Sequence, residues 1–310
     1  MGLSDLSPSA PKLALITLAI APIVLPVGYL LYLDRLVSQN LTVTTGVIRT
    51  PTKRKTKSTD PTTTPTTPPR PITLPTELNL DIVDADTPDD DTTTWVLAYE
   101  RLTSHPIPLS LLPPLPTSDS PPNTPALTTY LRTTMTSFRS TPQAYLLHTS
   151  VKHDAPAAVT FDRGFIAGLG FTLGDRVNGF WRVGYRGVGP RVATHTTLPT
   201  GDDDSKAGDG GVVGEWQGER VEMALDAPES YRGKRVEGIV VAGMEKVPLS
   251  LSRGKDRDGE EDGVVFVNET WMWRREGEAP VLLESGLGRW FHVVMSGWLV
   301  MRGVKAVVEE

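Results

Sequence analysis

Residues 13–33 read LALITLAIAPIVLPVGYLLYL, an unbroken run without a charge. At 1.5 Å per residue, a helix of that length covers a hydrocarbon core of about 30 Å. Pro22 and Pro26 interrupt it, which membrane helices tolerate better than soluble ones. Tyr29 and Tyr32 stand near one end, where amphipathic rings favour the headgroup region. A cleaved signal peptide would have an apolar stretch of about 7–15 residues followed by small residues, whereas Asp34-Arg35-Leu36 follows here. We therefore read 1–12 as a short tail and 13–33 as a retained single-pass membrane anchor.

Positive charge settles the expected orientation. Lys12 and the amino terminus flank one side of the run. Arg35, Arg49 and the cluster Lys53, Arg54, Lys55 and Lys57 lie on the other, which places the body of the protein in the cytoplasm. The membrane itself is not identified. Two glycosylation sequons, at Asn40 and Asn268, would be usable only in the opposite orientation. Asn40 is close to the anchor and Asn268 lies in a predicted strand, so both are read as chance matches.

From 34 to 92 the chain turns polar and, over Pro51–Pro71, rich in Thr and Pro. Such a tract cannot bury apolar area, and a disordered linker over 34–92 is expected. The chain has no cysteine, which removes disulfides, thiolate nucleophiles and cysteine-bound zinc. A net charge of −6 without a basic stripe argues against a nucleic-acid partner.

The folded part is expected over 93–310 as an α+β domain: an antiparallel β-meander packed on an amphipathic C-terminal helix. Thr124-Pro125 reads as a cap with a first-turn proline. Leu127, Tyr130, Leu131, Met135 and Phe138 follow at helical spacing. AYLLHTSV (144–151) reads as a short strand. FWRVGYR, ERVEMAL, VEGIVVAGMEKV and VVFVNETWMWRR read as the strands of the meander. PIPLSLLPPLP (106–116) is expected to wrap across the domain. The final stretch, GRWFHVVMSGWLVMRG, is an apolar run of about 15 residues with Arg289 and His292 inside it, too short and too charged for a second span. On a wheel, Leu287, Trp290, Phe291, Val294, Trp298 and Met301 share the side expected to face the sheet. Ser285, Arg289, His292 and Ser296 share the other.

Motifs with chemistry are scarce. No H-E-x-x-H or G-x-S-x-G occurs, and the acidic loop around Asp256 and Asp258 lacks an EF-hand's later ligands. GLGFTLGD (168–175) leads into a strand rather than a helix, so it reads as a turn and not a dinucleotide loop. No cofactor or metal set is read. The catalytic candidate is His292, and its wheel position puts it on the outer rim.

Element order, with the texture of VNETWMWR followed by GRWFHVVMSGWLVMRG, resembles the helix-grip (START-like) domains over Pro125–Val308. The linkers and hairpin loops are similar in style to uncharacterised single-pass membrane proteins of filamentous fungi. The first resemblance implies a cavity between a curved sheet and the last helix. Trp181, Tyr185, Trp271, Trp273, Trp290 and Trp298 would line it and bind an apolar small molecule, lipid-like or akin to a secondary metabolite, as in an accessory biosynthetic protein. The alternative is a non-enzymatic structural or adaptor protein of an organelle membrane, with the same aromatics serving as core.

Overall fold

The computed structural model describes residues 26–50, 71–75, 78, 94–114, 123–189, 218–249 and 261–309. In chain order these hold α1 (26–40), β1 (Leu41–Thr50), β2 (Trp95–Ser104), β3 (Ile107–Pro108), α2 (Pro125–Phe138), α3 (Pro142–Val151), α4 (Ala155–Val159) and α5 (Arg163–Gly168). There follow β4 (Arg176–Val177), β5 (Trp181–Val188), β6 (Gly218–Leu225), β7 (Glu237–Leu249), β8 (Glu261–Arg275) and α6 (Gly286–Val308). The class is mixed α+β, with one antiparallel sheet and a C-terminal helix.

The sheet runs β1-β2-β8-β7-β6-β5-β4, with β3 added beside β8. The four predicted meander strands are β5 to β8, each antiparallel to the next. PIPLSLLPPLP does cross the domain: β3 pairs with β8, and Ile107, Leu109 and Leu112 pack against the main core.

Residues 34–50, expected in the linker, are helix and strand instead. The described part of α1 takes in the last residues of the apolar run and passes directly into β1, whose ten residues pair in full register with β2. LTVTTGVIRT is rich in β-branched residues and free of proline, a composition suited to a pleated strand. The Thr/Pro signature starts only at Pro51. Residues 13–25 of the expected anchor and most of the expected linker lie outside the described residues. Within 51–92, Ile72 and Thr73 bond the sheet, and Leu74 and Leu78 pack on it.

AYLLHTSV is a second correction, since it forms α3. The Thr141 hydroxyl accepts from the Ala144 N–H at 3.2 Å, with Pro142 in the first turn. That is the same start signal as Thr124-Pro125, where Thr124 accepts from Leu127 N at 3.3 Å. A short apolar run cannot decide between strand and helix by periodicity alone, and the cap decides it here. α2 buries Leu127, Tyr130, Leu131, Met135 and Phe138 as its spacing predicts.

The sheet has a core on each face. On the helical side, Val221, Met223, Ala242, Met244, Val264 and Phe266 meet α2 and α6, and Tyr130 stacks on Phe266 at 5.0 Å. The opposite side holds Trp95, Leu97, Ile239, Val241, Trp271 and Trp273 under Leu74 and Leu78. A β-bulge in β5 shifts the register between Val183 and Tyr185. The expected alternation of Trp181, Val183 and Tyr185 therefore breaks, because an extra residue reverses the faces beyond it. Tyr185 comes beside Glu222, while Arg186 turns to the helical side beside Glu219.

α6 runs 23 residues, longer than the stretch counted from sequence, and is long and apolar enough to cross a membrane by length and composition. Its cap is Ser285, whose hydroxyl accepts from Gly288 N at 3.0 Å. Of the side expected to face the protein, only Val294 is fully buried. Gly288, Val294, Ser296, Gly297, Val300, Gly303 and Val307 are buried, while Leu287 is 77% exposed and Trp290, Phe291, Trp298 and Met301 are half-buried. Close approach explains the rotation. A Cβ on Gly297 would lie 2.6 Å from both Val37 methyls, and one on Gly303 would lie 2.6 Å from the Tyr130 ring. Glycines adding little weight to a wheel are what let the backbones of α1 and α2 come near.

Candidate functional site

The β2–β8 register places Glu100 on the helical side of the sheet, opposite Thr270. Glu100 is buried, and its Oε1 lies 3.0 Å from Nδ1 of His292 on α6. Ser296, one turn on, brings Oγ to 3.3 Å from that same nitrogen. His292 thus points toward the sheet and not to the outer rim, another result of the rotated helix. Glu100 Oε2 is buried without a hydrogen-bond partner among the described residues. At the adjoining corner, Trp290 Nε1 donates to Asp34 Oδ1 of α1 at 2.9 Å.

A serine, a histidine and a carboxylate in contact invite comparison with a nucleophile relay. Such a relay needs the acid on one ring nitrogen and the nucleophile on the other, so that the base can accept the hydroxyl proton. Here both groups converge on Nδ1. The cluster joins α6 to β2 as a polar clasp and does not activate Ser296.

Two further clusters are structural in form. On the helical side Glu219, fully buried, accepts from Thr124 N at 2.7 Å and Thr124 Oγ1 at 2.6 Å, and pairs with Arg186 Nε at 2.8 Å. It ties the start of α2 to β6. On the opposite side Arg101 bonds Glu245 at 2.7 Å and also pairs with Glu269, whose carboxyl burial pushes up from the ordinary range. Arg220 lies 2.9 Å from Glu222, which accepts from Ile72 N and Thr73 N at 2.8 and 2.7 Å. These charges fasten the 71–75 segment to the sheet.

The six predicted ligand-binding aromatics do not meet. Trp271 and Trp273 lie in the core opposite α6, with Trp271 stacked on Tyr99 at 5.1 Å. Trp181 packs against the helical-side core. Tyr185 donates to Val188 O at 3.1 Å on the other face, beyond the bulge. Trp290 is held by Asp34, and Trp298 is half-buried further along α6. A pocket of about 220 Å³ lies at the ends of β2, β7 and β8, with Trp95, Trp273, Lys234, Glu237 and Arg275 among its lining residues. Its polar groups are turned on each other: Trp273 Nε1 donates to Glu237 at 2.7 Å, and the Arg275 guanidinium sits 5.4 Å over the Trp95 ring.

Of the sequons, Asn40 ends α1, exposed, with its amide donating to Leu36 O at 2.8 Å. Asn268 is half-buried in β8 between Leu102 and Ala242. Among the described residues no group of three His, Asp or Glu side chains is placed to hold a cation. GLGFTLGD forms a turn, with Gly174 at φ +91° and Thr172 N donating to Asp175 at 2.8 Å. The Glu100–His292 contact had no sequence signal, because it depends on strand register and helix rotation together. No family model matches the chain, nor does any curated protein or solved structure.

Proposed function

We propose that the chain is a non-enzymatic structural or adaptor domain fixed at a membrane, with α1 serving as a rigid joint between anchor and body. One observation carries this. The described part of α1 takes in Pro26–Leu33, the last residues of the apolar run, and sends Leu33 and Val37 into the protein, and Leu41 follows at the head of β1. An anchor that is also part of the core suits a protein whose position and orientation at the membrane are its purpose. Carrying a small molecule has less support, since its six aromatics are divided between two faces of the sheet and the surface of α6.

Thermal unfolding of the full chain in detergent, with a panel of fatty acids, phospholipids and planar polycyclic compounds, tests this. A ligand that binds only the folded state at a hundred times its Kd would add about 2.7 kcal/mol. The expected result is no shift with any compound, together with retention of the chain in membranes washed at alkaline pH. A dose-dependent rise in Tm of several degrees would overturn the structural assignment in favour of a ligand carrier.

A further inference from the structure

Two contacts define how α1 and α6 lie together. Asp34 meets Trp290, and Val37 meets Gly297. Both helices therefore advance in the same general direction, and their N-terminal ends are neighbours. One turn back from these contacts the surface is apolar on both. α1 exposes Val27, Tyr29, Leu31 and Tyr32, and Leu287 of α6 is 77% exposed, with Leu282 just before it at 42%. Ahead of α1 the chain is continuously apolar from Leu13. On the anchor reading, a helix over 13–32 would span about 30 Å, and Leu33 is buried in the domain. That reading leaves no spacer between the bilayer surface and this end of α6.

We infer that the start of α6, with the turn that precedes it, sits in the headgroup region beside α1 as a second contact between the domain and the same bilayer. The inference rests on the anchor assigned to 13–33. Leu282 and Leu287 extend the apolar footprint of α1, and the tyrosines of α1 occupy the depth that amphipathic rings favour. Trp290 and Asp34 lock the two parts of the footprint together. Far along α6, Gly303 and Val307 are buried in the protein, so the helix leaves the membrane surface instead of crossing it.

The absence of cysteine makes the test direct. Leu287→Cys, Leu173→Cys and Val308→Cys each give a single thiol for an environment-sensitive fluorophore on the full chain in phosphatidylcholine vesicles with lipid-borne quenchers. Leu173 serves as control, since it is exposed to the same degree, at 75%, on the turn before β4. Melting of each variant in detergent checks that the fold is kept. The label at 287 should be blue-shifted and quenched at least threefold more than the label at 173, with 308 behaving like 173. A label at 287 no more quenched than at 173, in a chain that floats with the vesicles, overturns this inference alone. Lipid exposure at 308 also overturns it, because α6 would then cross the bilayer. A chain that does not float overturns the anchor as well.

Discussion

If α1 is part of the domain, its contact with α6 should be measurable as a coupling energy between Val37 and Gly297. Gly297→Ala gains up to about 1 kcal/mol of helix propensity, but its new methyl would sit 2.6 Å from both Val37 methyls. Overpacking of that kind costs about 1–3 kcal/mol, so a net loss of about 1–2 kcal/mol is expected. Val37→Ala removes two methyls from a side chain only 2% exposed, a loss of about 1.5–2.5 kcal/mol once the cavity is included. In the double variant the alanine methyl at 297 takes up part of the space vacated at 37. Its cost should therefore fall short of the sum by about 1–2 kcal/mol, the range seen for side chains in contact. Urea unfolding of the full chain in detergent, followed by tryptophan fluorescence, gives the four free energies. Additivity within about 0.5 kcal/mol would refute the packing of α1 on α6 and, with it, the rigid joint.

The buried acid at the head of α2 makes a graded prediction. Glu219→Ala strands the Arg186 guanidinium in the core and should cost about 3–5 kcal/mol, while Glu219→Gln keeps an acceptor for Thr124 and should cost less, by chemical denaturation. The pH dependence has two parts of opposite sign. Hydrogen bonds from Arg274, whose Nε and Nη2 both lie 2.7 Å from the carboxylate, and from Val281 N hold the Glu284 carboxyl below its ordinary value of 4.5. Its stabilisation is therefore present above 4.5 and lost as pH falls through the lower folded value. Glu269 is raised by burial, so its contribution is present at low pH and is lost as pH rises through the higher folded value. Melting curves across pH should show a shallower acid-side decline in Glu284→Gln and a shallower loss above pH 4.5 in Glu269→Gln.

The parts of the fold legible in the sequence were those fixed by local pattern. Thr124-Pro125 marked α2 and the spacing of Tyr130 and Phe138 marked its buried face. The alternation in β6 and β8 and the near-continuous apolar run of β7 marked the meander. What was not legible depended on single residues with non-local consequences. One bulge at Gly184 exchanged Tyr185 for Arg186 on the inner face. The wheel of α6 weighed Trp290 and Phe291 above Gly297 and Gly303, although closeness of approach, not side-chain size, chose the buried stripe. It consequently turned His292 outward, away from Glu100. The reach of the linker is overestimated because β1 is as rich in threonine as the tract after it; the absence of proline and the apolar Leu41, Val43, Val47 and Ile48 set it apart.

The packing of α6 on α1 also bears on how the protein is made. α1 leaves the ribosome before the rest of the domain, and the helix that covers Val37 is encoded more than 250 positions later. Contacts so distant in sequence form late, because the loop between them must close first. Throughout synthesis α1 waits with Leu33 and Val37 uncovered, as does the Tyr130 face of α2, in need of shielding against aggregation. Only after Val307 has left the exit tunnel does α6 seal α1 and α2 into one body.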